Sequence, residues 1–591
     1  MTFDQIYVFA VILGTLGLFV WGRWRYDVVA LIALVAVLLA GIVPPERAFV
    51  GFGHPAVITV AAVLVISRGL QNSGIVGFIA KRLAEAELSP SLQVGAIAAL
   101  VAALSGFMNN IGALALLLPV VIQIARKSGR EPRELLMPLS FGSLLGGLVT
   151  LIGTPPNIIV AAIRADYATE PFGMFDFTPV GTAIAVVGVL FIAVIGWRLI
   201  PKHHGPSKSG DVFDIADYIT EVRVAEGSPL VDKRIRDSYQ NGVADDIVFV
   251  ALHRGSYQRL APSIEGVLHE GDHLLLEGDA QSIEESVKAA GLELVGNRDL
   301  SSDTLHSETV GMIEAVVTPS SLLIRRTARL IRLRSRHSMN LIAVARHGEP
   351  VRRRLNDVQF QAGDVLLLQG DTETMPDTLA ALGCLPLAHR DLTLHRTPSL
   401  APIFIFIGAI LASAFGFVSV PIAFVSAVVL MLVTGQVPLR RAYEAVDWPI
   451  LVLLGAMVPV GQALEISGAS TLIADGIAST SAYLPSWALL TVVLVATMML
   501  SDAMNNAATA VLMAPLAAEL AIRIGVSPDP FLMAVAIGAS CAFLTPIGHQ
   551  SNVLVMGPGG YRFRDYWPMG LPLEVVICVV AVPMIMWIWP L

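Results

Sequence analysis

Ten apolar runs, each long enough to cross a bilayer, dominate this chain and leave room for only one long polar stretch. They lie at about residues 3–20, 28–44, 55–72, 134–163, 177–200, 399–416, 419–434, 449–465, 530–558 and 571–589. With 55% apolar and 15% charged residues and a mean hydropathy of +0.70, a water-soluble globule is excluded. The expected fold is an α-helical polytopic membrane protein. Asp4 opens the first run with no basic residue ahead of it and no small-residue cleavage pattern behind it, so that run reads as a retained span.

Charge is sorted along the chain. Of the 39 Lys and Arg, 22 fall between Lys202 and Arg396, which marks the polar stretch as cytoplasmic. The three cysteines, Cys384, Cys541 and Cys578, fit no metal spacing or disulfide framework.

The apolar parts are written twice. GIVPPERA at 41–48 recurs as GQVPLRRA at 435–442, and at the same offset Pro55 falls on Pro449, Leu70 on Leu464, Ser73 on Ser467 and Gly74 on Gly468. Met108-Asn109-Asn110 then matches Met504-Asn505-Asn506, Pro119 matches Pro515, and Asn157 matches Asn552. The expected halves are residues 1–200 and 397–591. Arg23, Arg25, Lys81, Arg82, Arg126 to Arg133, Lys202, Arg440, Arg441, Arg562 and Arg564 all fall inside if both termini are outside, while the loop at 466–485 has no Lys or Arg. The second copy is then inverted, which is the plan of secondary transporters. Residues 92–125 and 486–523 are too long for one crossing and are broken by polar residues near the middle, so both read as re-entrant hairpins.

Four polar clusters sit at membrane depth: Ser105 to Asn110, Gly153-Thr154-Pro155-Pro156-Asn157, Ser501 to Asn506, and Thr545 to Asn552. Irregular backbone survives there only where protein buries it or a wet cavity meets it, so the clusters mark a site. Freed carbonyls ligate small cations, and freed N–H groups at helix N-termini hold anions. Ser105 with Asn110 and Ser501 with Asn506, near carbonyls loosened by Gly153 and Gly548, are the candidate ligands of two Na+ ions. Asn109, Asn110, Thr154, Asn157, Asn505, Asn506, His549, Ser551 and Asn552 are the candidate substrate contacts. No Lys or Arg lies in any cluster, so the anion needs the cations beside it. For any single Asn, interhelical hydrogen bonding is the plainer explanation.

Two residues keep several readings. Asp502, where the first half has Gly106, completes a cation site, carries a coupling proton (H+), or lies at a wet hairpin edge. His549, where the first half has Thr154, donates to the anion, titrates near neutral pH, or packs as a hydrogen-bonded ring.

At these residues the sequence resembles the divalent anion/sodium symporter family of the ion transporter superfamily. GTPPN at 153–157, the paired hairpins and the Ala-Leu-Leu-Leu-Pro119 and Val-Leu-Met-Ala-Pro515 endings carry the likeness. Where that family has Ser-Asn-Thr at its hairpin tips, this chain has Asn109-Asn110-Ile111 and Asn505-Asn506-Ala507, keeping both central Asn and losing both hydroxyls. The resemblance implies sodium sites at Ser105, Asn110 and Gly153 and at Ser501, Asn506 and Gly548, a homodimer, and elevator-type movement.

The polar insert is also a repeat. Gly271-Asp272-His-Leu-Leu-Leu-Glu-Gly278-Asp279 recurs as Gly363-Asp364-Val-Leu-Leu-Leu-Gln-Gly370-Asp371, and Glu221, Ser228 and Gly255 match Glu314, Ser321 and Gly348. Alternating runs such as Ile247 to Leu252 and Val365 to Leu368 read as strands. The insert resembles two tandem TrkA-C (RCK C-terminal) domains, at 210–297 and 305–390, small α/β modules that regulate potassium channels and transporters. Such an architecture is similar to sulfate and sulfur-responsive symporters, which favours sulfate over a C4-dicarboxylate. Six arginines between Arg325 and Arg336 form a solvated face, or hold a nucleotide or lipid headgroups.

The sequence therefore predicts no enzyme and no nucleic-acid partner. It predicts a bacterial inner-membrane symporter of a small inorganic anion, in contact with lipid, or alternatively a membrane anion sensor.

Overall fold

The computed structural model describes all residues other than 1, 22–23, 74–87, 169–170, 202–218, 236, 238–247, 255–256, 261–265, 278–286, 289, 295–309, 338, 352–354, 372–373, 389–398, 470–471 and 473–483. Arg23, Lys81, Arg82, Lys202, Arg396, Gly278, Asp279, most of the loop at 466–485 and the edges of the insert lie outside the described residues.

The first half supplies α1 (Phe3–Trp21), α2 (Tyr26–Leu39), α3 (Pro55–Asn72), α4 (Pro90–Ser105), α5 (Asn110–Lys127), α6 (Arg133–Gly147), α7 (Pro155–Tyr167) and α8 (Thr178–Val194). Proline opens several of these because its missing N–H is an orphan in a first turn anyway. Glycine ends them at matched places. Gly41 and Gly129 take positive φ after α2 and α5, and Gly435 and Gly525 do so in the second half. The runs at 134–163 and 530–558, each a single candidate crossing in the sequence, are each two helices separated by a break, at 148–154 and 541–549.

Between the halves lie two five-stranded sheets. The first contains β1 (Ile219–Val224), β2 (Val248–Arg254), β3 (Tyr257–Leu260), β4 (His273–Glu277) and β5 (Leu292–Leu294), in the order β3-β2-β4-β1-β5. The second contains β6 (Val310–Val317), β7 (Met339–Arg346), β8 (Glu349–Pro350), β9 (Val365–Asp371) and β10 (Cys384–Ala388), with α9 (Ala328–Ile331), α10 (Leu333–His337) and α11 (Met375–Leu382). Its order, β10-β6-β9-β7-β8, is the first sheet's order over again. Every described pairing is antiparallel, so each module is α+β in layering, where the resemblance implied α/β.

Matched side chains hold the two modules. Asp272 receives both arms of Arg254 at 2.7 Å and the His269 N–H at 2.8 Å. Asp364 receives Arg346 at 2.7 and 2.8 Å and the Gln361 N–H at 2.8 Å. Burial opposes ionisation of Asp272, but Arg254 and the His269 amide outweigh it and hold the carboxyl below the usual carboxylate range. A depressed carboxyl stabilises the fold fully above its unfolded pKa of about 4, and the contribution disappears as pH falls through the folded value. Asp272→Asn should therefore cost the first module about 2 kcal/mol at neutral pH. Limited proteolysis of the full chain should show faster cleavage within 219–294, with the gap to wild type closing below about pH 4.

The second half supplies α12 (Ala401–Ala414), α13 (Val420–Val433), α14 (Leu439–Ala445), α15 (Trp448–Ile466), α16 (Ser486–Ala503), α17 (Asn506–Arg523), α18 (Pro528–Ser540), α19 (Gln550–Met556) and α20 (Trp567–Ile588). Among the described residues, four helical stretches are long and apolar enough to cross a membrane: Pro45–Asn72, Asn110–Lys127, Ser486–Ala503 and Phe563–Ile588. Leu439–Ala445 and Trp448–Leu464 make a fifth when taken together across a 54° bend.

The halves exchange partners. Helix α2 packs on α15 while α13 packs on α3, and α5 packs on α19 while α17 packs on α7. Arg164 on α7 clasps Asp529 of α18 at 2.7 and 2.8 Å and lies over the Phe172 ring, tying the halves together beside the breaks. The second module docks on the same region. Strand β10 packs on α5, Gly363 and Gly348 abut Gly557 and Gly560, and Arg126 and Arg562 reach Glu314 and Glu349 at 3.2 and 3.0 Å.

Candidate functional site

Helix α4 ends at Ser105, four residues turn at 106–109, and α5 begins at Asn110. Asn109 caps α5, its Oδ1 accepting from the Ile111 N–H at 3.2 Å; Asn505 caps α17 in the same way through Ala507 at 2.9 Å. Both caps are half-buried, whereas Asn110 and Asn506 behind them are buried. Helix α6 leads into the break and α7 leaves it with Pro155 and Pro156 in its first turn.

The breaks are held alike in both halves. Asn157 Nδ2 donates to the Thr150 and Gly147 carbonyls at 2.8 and 3.3 Å, and Asn552 Nδ2 donates to those of Ala542 and Thr545 at 2.8 and 3.1 Å. Thr150 Oγ1 donates to the Gly106 carbonyl, and Thr545 Oγ1 to the Asp502 carbonyl, so each break grips its own helix-pair tip. Ser140 Oγ adds a bond between halves, 2.7 Å to Asn552 Oδ1.

Asn110 is where the halves meet. One end of its carboxamide lies 2.6 Å from Ser105 Oγ and 3.1 Å from both the Ser143 and Gly153 carbonyl oxygens. The other end lies 3.4 Å from Nε2 of His549, at the second break. His549 Nδ1 accepts from the Ser551 N–H at 3.0 Å, so a neutral ring carries its hydrogen on Nε2. With Nδ2 turned toward the three oxygens, the amide donates to them and Oδ1 accepts from His549. With Oδ1 turned toward them, four oxygens converge as they would around a small cation, and Nδ2 faces His549 Nε2. Gly147 makes the approach possible, since a Cβ there would overlap the Asn110 carboxamide, and one at Gly153 would lie 2.5 Å from the Gly147 oxygen.

The second set is built differently. Ser501 Oγ donates to the Ala539 carbonyl at 2.6 Å, and Ala539 is the repeat partner of Ser143. Asn506 Oδ1 accepts from Ala507 N at 2.8 Å, and Gly548 presses on the Ser501 carbonyl. Thus Ser105 meets Asn110 directly, whereas Ser501 bonds a backbone carbonyl. Buried Thr154 Oγ1, Asn157 Oδ1, Asn506 Nδ2 and Ser551 Oγ have no hydrogen-bond partner among the described residues. Orphaned polar atoms clustered at two helix breaks are what a polar cargo would satisfy. Asp502 lies at the end of α16, its Oδ1 accepting from the Leu544 N–H at 2.9 Å.

Sequence reasoning missed the Ser143 and Ala539 carbonyls, which any residue type could supply, although the offset that pairs the two halves brings them into register. It also missed Glu574, whose Oε1 lies 3.4 Å from the Phe543 N–H, next to the Leu544 amide that donates to Asp502. A lone carboxylate within an apolar run was signal enough.

Apolar helices broken at matched depths, with polar clusters buried at the breaks, define a membrane transporter, and the relatives of this chain are transporters rather than enzymes. The chain belongs to the citrate transporter family, whose model matches residues 16–538. An uncharacterized transporter of Synechocystis is 30% identical over 98% of this chain and 96% of its own length. An uncharacterized transporter of Escherichia coli is 29% identical over 99% of this chain and all of its own. Sodium/sulfate cotransporter 2 of Chlamydomonas reinhardtii is 21% identical over 93% of this chain and 86% of its own length. The family shown is thus the citrate transporters, where the residues suggested the divalent anion/sodium symporters; sodium/sulfate cotransporters are among the relatives all the same.

Proposed function

We propose that this chain is a secondary active transporter that couples sodium to uptake of a small divalent oxyanion, sulfate first, by alternating access. The observation that carries the reading is the Asn110 carboxamide among Ser105 Oγ and the Ser143 and Gly153 carbonyls. Hard oxygen ligands without a carboxylate suit a monovalent cation, and the ligands come from a helix end, a helix start and a break that must all be in place together. Ser501, Asn506, Gly548 and the Ala539 carbonyl form the second cation site, with Asp502 beside it.

The anion lies between the two tips. With no Lys or Arg in the four clusters, the N-termini of α5 and α17, the amides of Asn109 and Asn505 and the hydroxyl-bearing groups at Thr154 and Ser551 supply the donors. Sodium bound beside them supplies the positive charge, which is the source of coupling. Asn157 and Asn552 act by holding the breaks open. Helix pairs α4–α5 and α16–α17 are re-entrant, entering from opposite faces, and move with α6, α7, α18 and α19 against a scaffold that includes α2, α3, α13 and α15. The insert is a cytoplasmic TrkA-C pair, supported by its repeated strand order, and the protein works as a homodimer.

The family's description as citrate transporters favours a second reading, a polycarboxylate cargo. Proteoliposomes loaded with the purified chain distinguish the two. Radiolabelled sulfate, succinate and citrate are offered under sodium and proton gradients imposed one at a time, and sodium-driven sulfate accumulation is the expected result. Accumulation of citrate or succinate alone transfers the site to carboxylates, and flux that ignores both gradients ends the coupling reading.

A further inference from the structure

Helix α8 ends at Val194 and is followed by a short 3₁₀ helix, Gly196–Leu199, that packs on α6 and α20. Between that segment and the first turn of α6 lies a cavity of about 270 Å3, lined by Arg133, Glu134, Trp197, Arg198 and Ile200. It shares no residue with either cation site or with the breaks.

The polar groups of the lining are incompletely matched. Arg133 is 8% exposed and reaches Asp565 Oδ2 at 3.3 Å, a long contact for a charged pair, while its Nε has no acceptor among the described residues. Trp197 Nε1 is buried and equally without one. Indole and guanidinium N–H groups can only donate, and buried donors of this kind are almost always answered. Arg198 stands beside them, donating to the Val194 carbonyl and, at 3.2 Å, to Ser91 Oγ in the first turn of α4, with its Cζ 4.9 Å from the Trp197 ring centre. The Glu134 carboxylate has no hydrogen bond or ion pair among the described residues. Its place in the first turn of α6 suits the helix dipole, which accounts for its sign but leaves the two donors unanswered. A bare anion here would be repelled by Glu134, and a bare cation by the arginines. A zwitterion that carries a phosphate and an ammonium group answers both.

The approach to the cavity is apolar. Val186, Leu190 and Val194, four apart on α8, are each more than half exposed and form a stripe that ends where the 3₁₀ helix begins. Arg130, which reaches the Pro90 carbonyl beside Ser91, and Arg198 mark this end as the edge of the bilayer, where an indole is an ordinary anchor. A polar pocket at the foot of a lipid-facing stripe has the shape of a phospholipid, headgroup in and chains alongside.

We propose that this cavity binds the headgroup of a membrane lipid bearing phosphoethanolamine. Its phosphate accepts from Arg133 Nε, Trp197 Nε1 and the Arg198 guanidinium, its ammonium donates to Glu134, and its acyl chains lie along the α8 stripe. Through Arg198 and Arg133 the lipid links the starts of α4 and α6 to the end of α8. Neither the cargo nor the coupling ion enters this assignment.

Native mass spectrometry of the delipidated full chain, titrated with single lipids of matched acyl chains, tests it. Wild type should retain phosphatidylethanolamine about tenfold better than phosphatidylcholine, whose quaternary nitrogen has no N–H, and than phosphatidylglycerol, which has no cation. Soluble O-phosphoethanolamine at the same concentration should neither bind nor compete. Trp197→Phe keeps a ring and removes a donor, and should lower phosphatidylethanolamine retention several-fold; Glu134→Gln should erase the preference over phosphatidylglycerol. Melting of both variants checks that they fold, and the wild-type lipid series decides the site without them. Equal retention of the three lipids by wild type means an ordinary lipid annulus and overturns the site. Phosphoethanolamine that binds as tightly as the lipid overturns the lipid assignment in favour of a soluble zwitterion, and a preference for phosphatidylglycerol overturns the role of Glu134. Retention unchanged in both folded variants places the lipid elsewhere and overturns the proposal.

Discussion

Asn110→Ala should abolish sodium-stimulated uptake, raising the sodium concentration for half-maximal flux by about 100-fold or more. Even the supporting partners of metal ligands are worth 10–100-fold in affinity, and Asn110 is proposed as a ligand itself. Alanine alone would not separate a cation ligand from a hydrogen-bonding amide, because both roles are lost. Asn110→Asp does separate them. If Oδ1 faces a cation, aspartate still presents an oxygen to Ser105 Oγ and the Ser143 and Gly153 carbonyls, and sodium response survives. If Nδ2 merely ties the two carbonyls, aspartate sets a buried charge against them, the fold weakens by several kcal/mol, and no sodium response returns. Sodium titration of flux together with melting of both variants in detergent checks this, and a destabilised, sodium-indifferent Asn110→Asp would remove the assignment.

How much of this was legible in the letters follows from what carries each feature. The four clusters were visible because Pro, Gly, Asn and Ser at membrane depth are both costly and duplicated, and the structure places breaks or tips at each of them. The insert's doubling was visible because Asp272 and Asp364 sit in matching turns and make matching bonds. Backbone ligands such as the Ser143 carbonyl leave no mark on composition. The meeting of Asn110 with His549, 439 residues apart, depends on how the halves cross, which no local pattern encodes. Register between the copies was also a poor guide to detail: Ser105 and Ser501 are equivalent in sequence, yet one bonds an asparagine and the other a carbonyl. That Glu574 reaches the break beside Asp502 was not legible, because it lies on α20, the last of the described helices, across a fold that had first to be built.

Gly146→Val should leave no folded protein to assay. Gly142 and Gly146 lie one turn apart on α6 and let it approach α4 backbone to backbone, the small-residue packing that drives helix association in lipid. A Cβ at Gly142 would stand 2.8 Å from the Ala98 oxygen; at Gly146 it would overlap the Ala102 oxygen and come within 2.5 Å of the Ala102 Cα. Neither obstacle is the far end of a flexible side chain, so the helices themselves must separate, at a cost above the ~1–3 kcal/mol of ordinary overpacking. Size-exclusion chromatography after mild detergent extraction should show loss of the monodisperse peak, while Gly14→Val, with nothing near its Cβ, should retain it. Gly142→Ala, whose Cβ would stand 2.8 Å from the Ala98 oxygen without overlapping it, is the milder change at the same contact. Helix α4 ends in Ser105 and α6 contributes the Ser143 carbonyl, so whatever parts these helices also parts the oxygens around Asn110. Folded Gly142→Ala should therefore need at least several-fold more sodium for half-maximal uptake, and an unchanged requirement would mean that the contact between α4 and α6 does not set the geometry of the cation site.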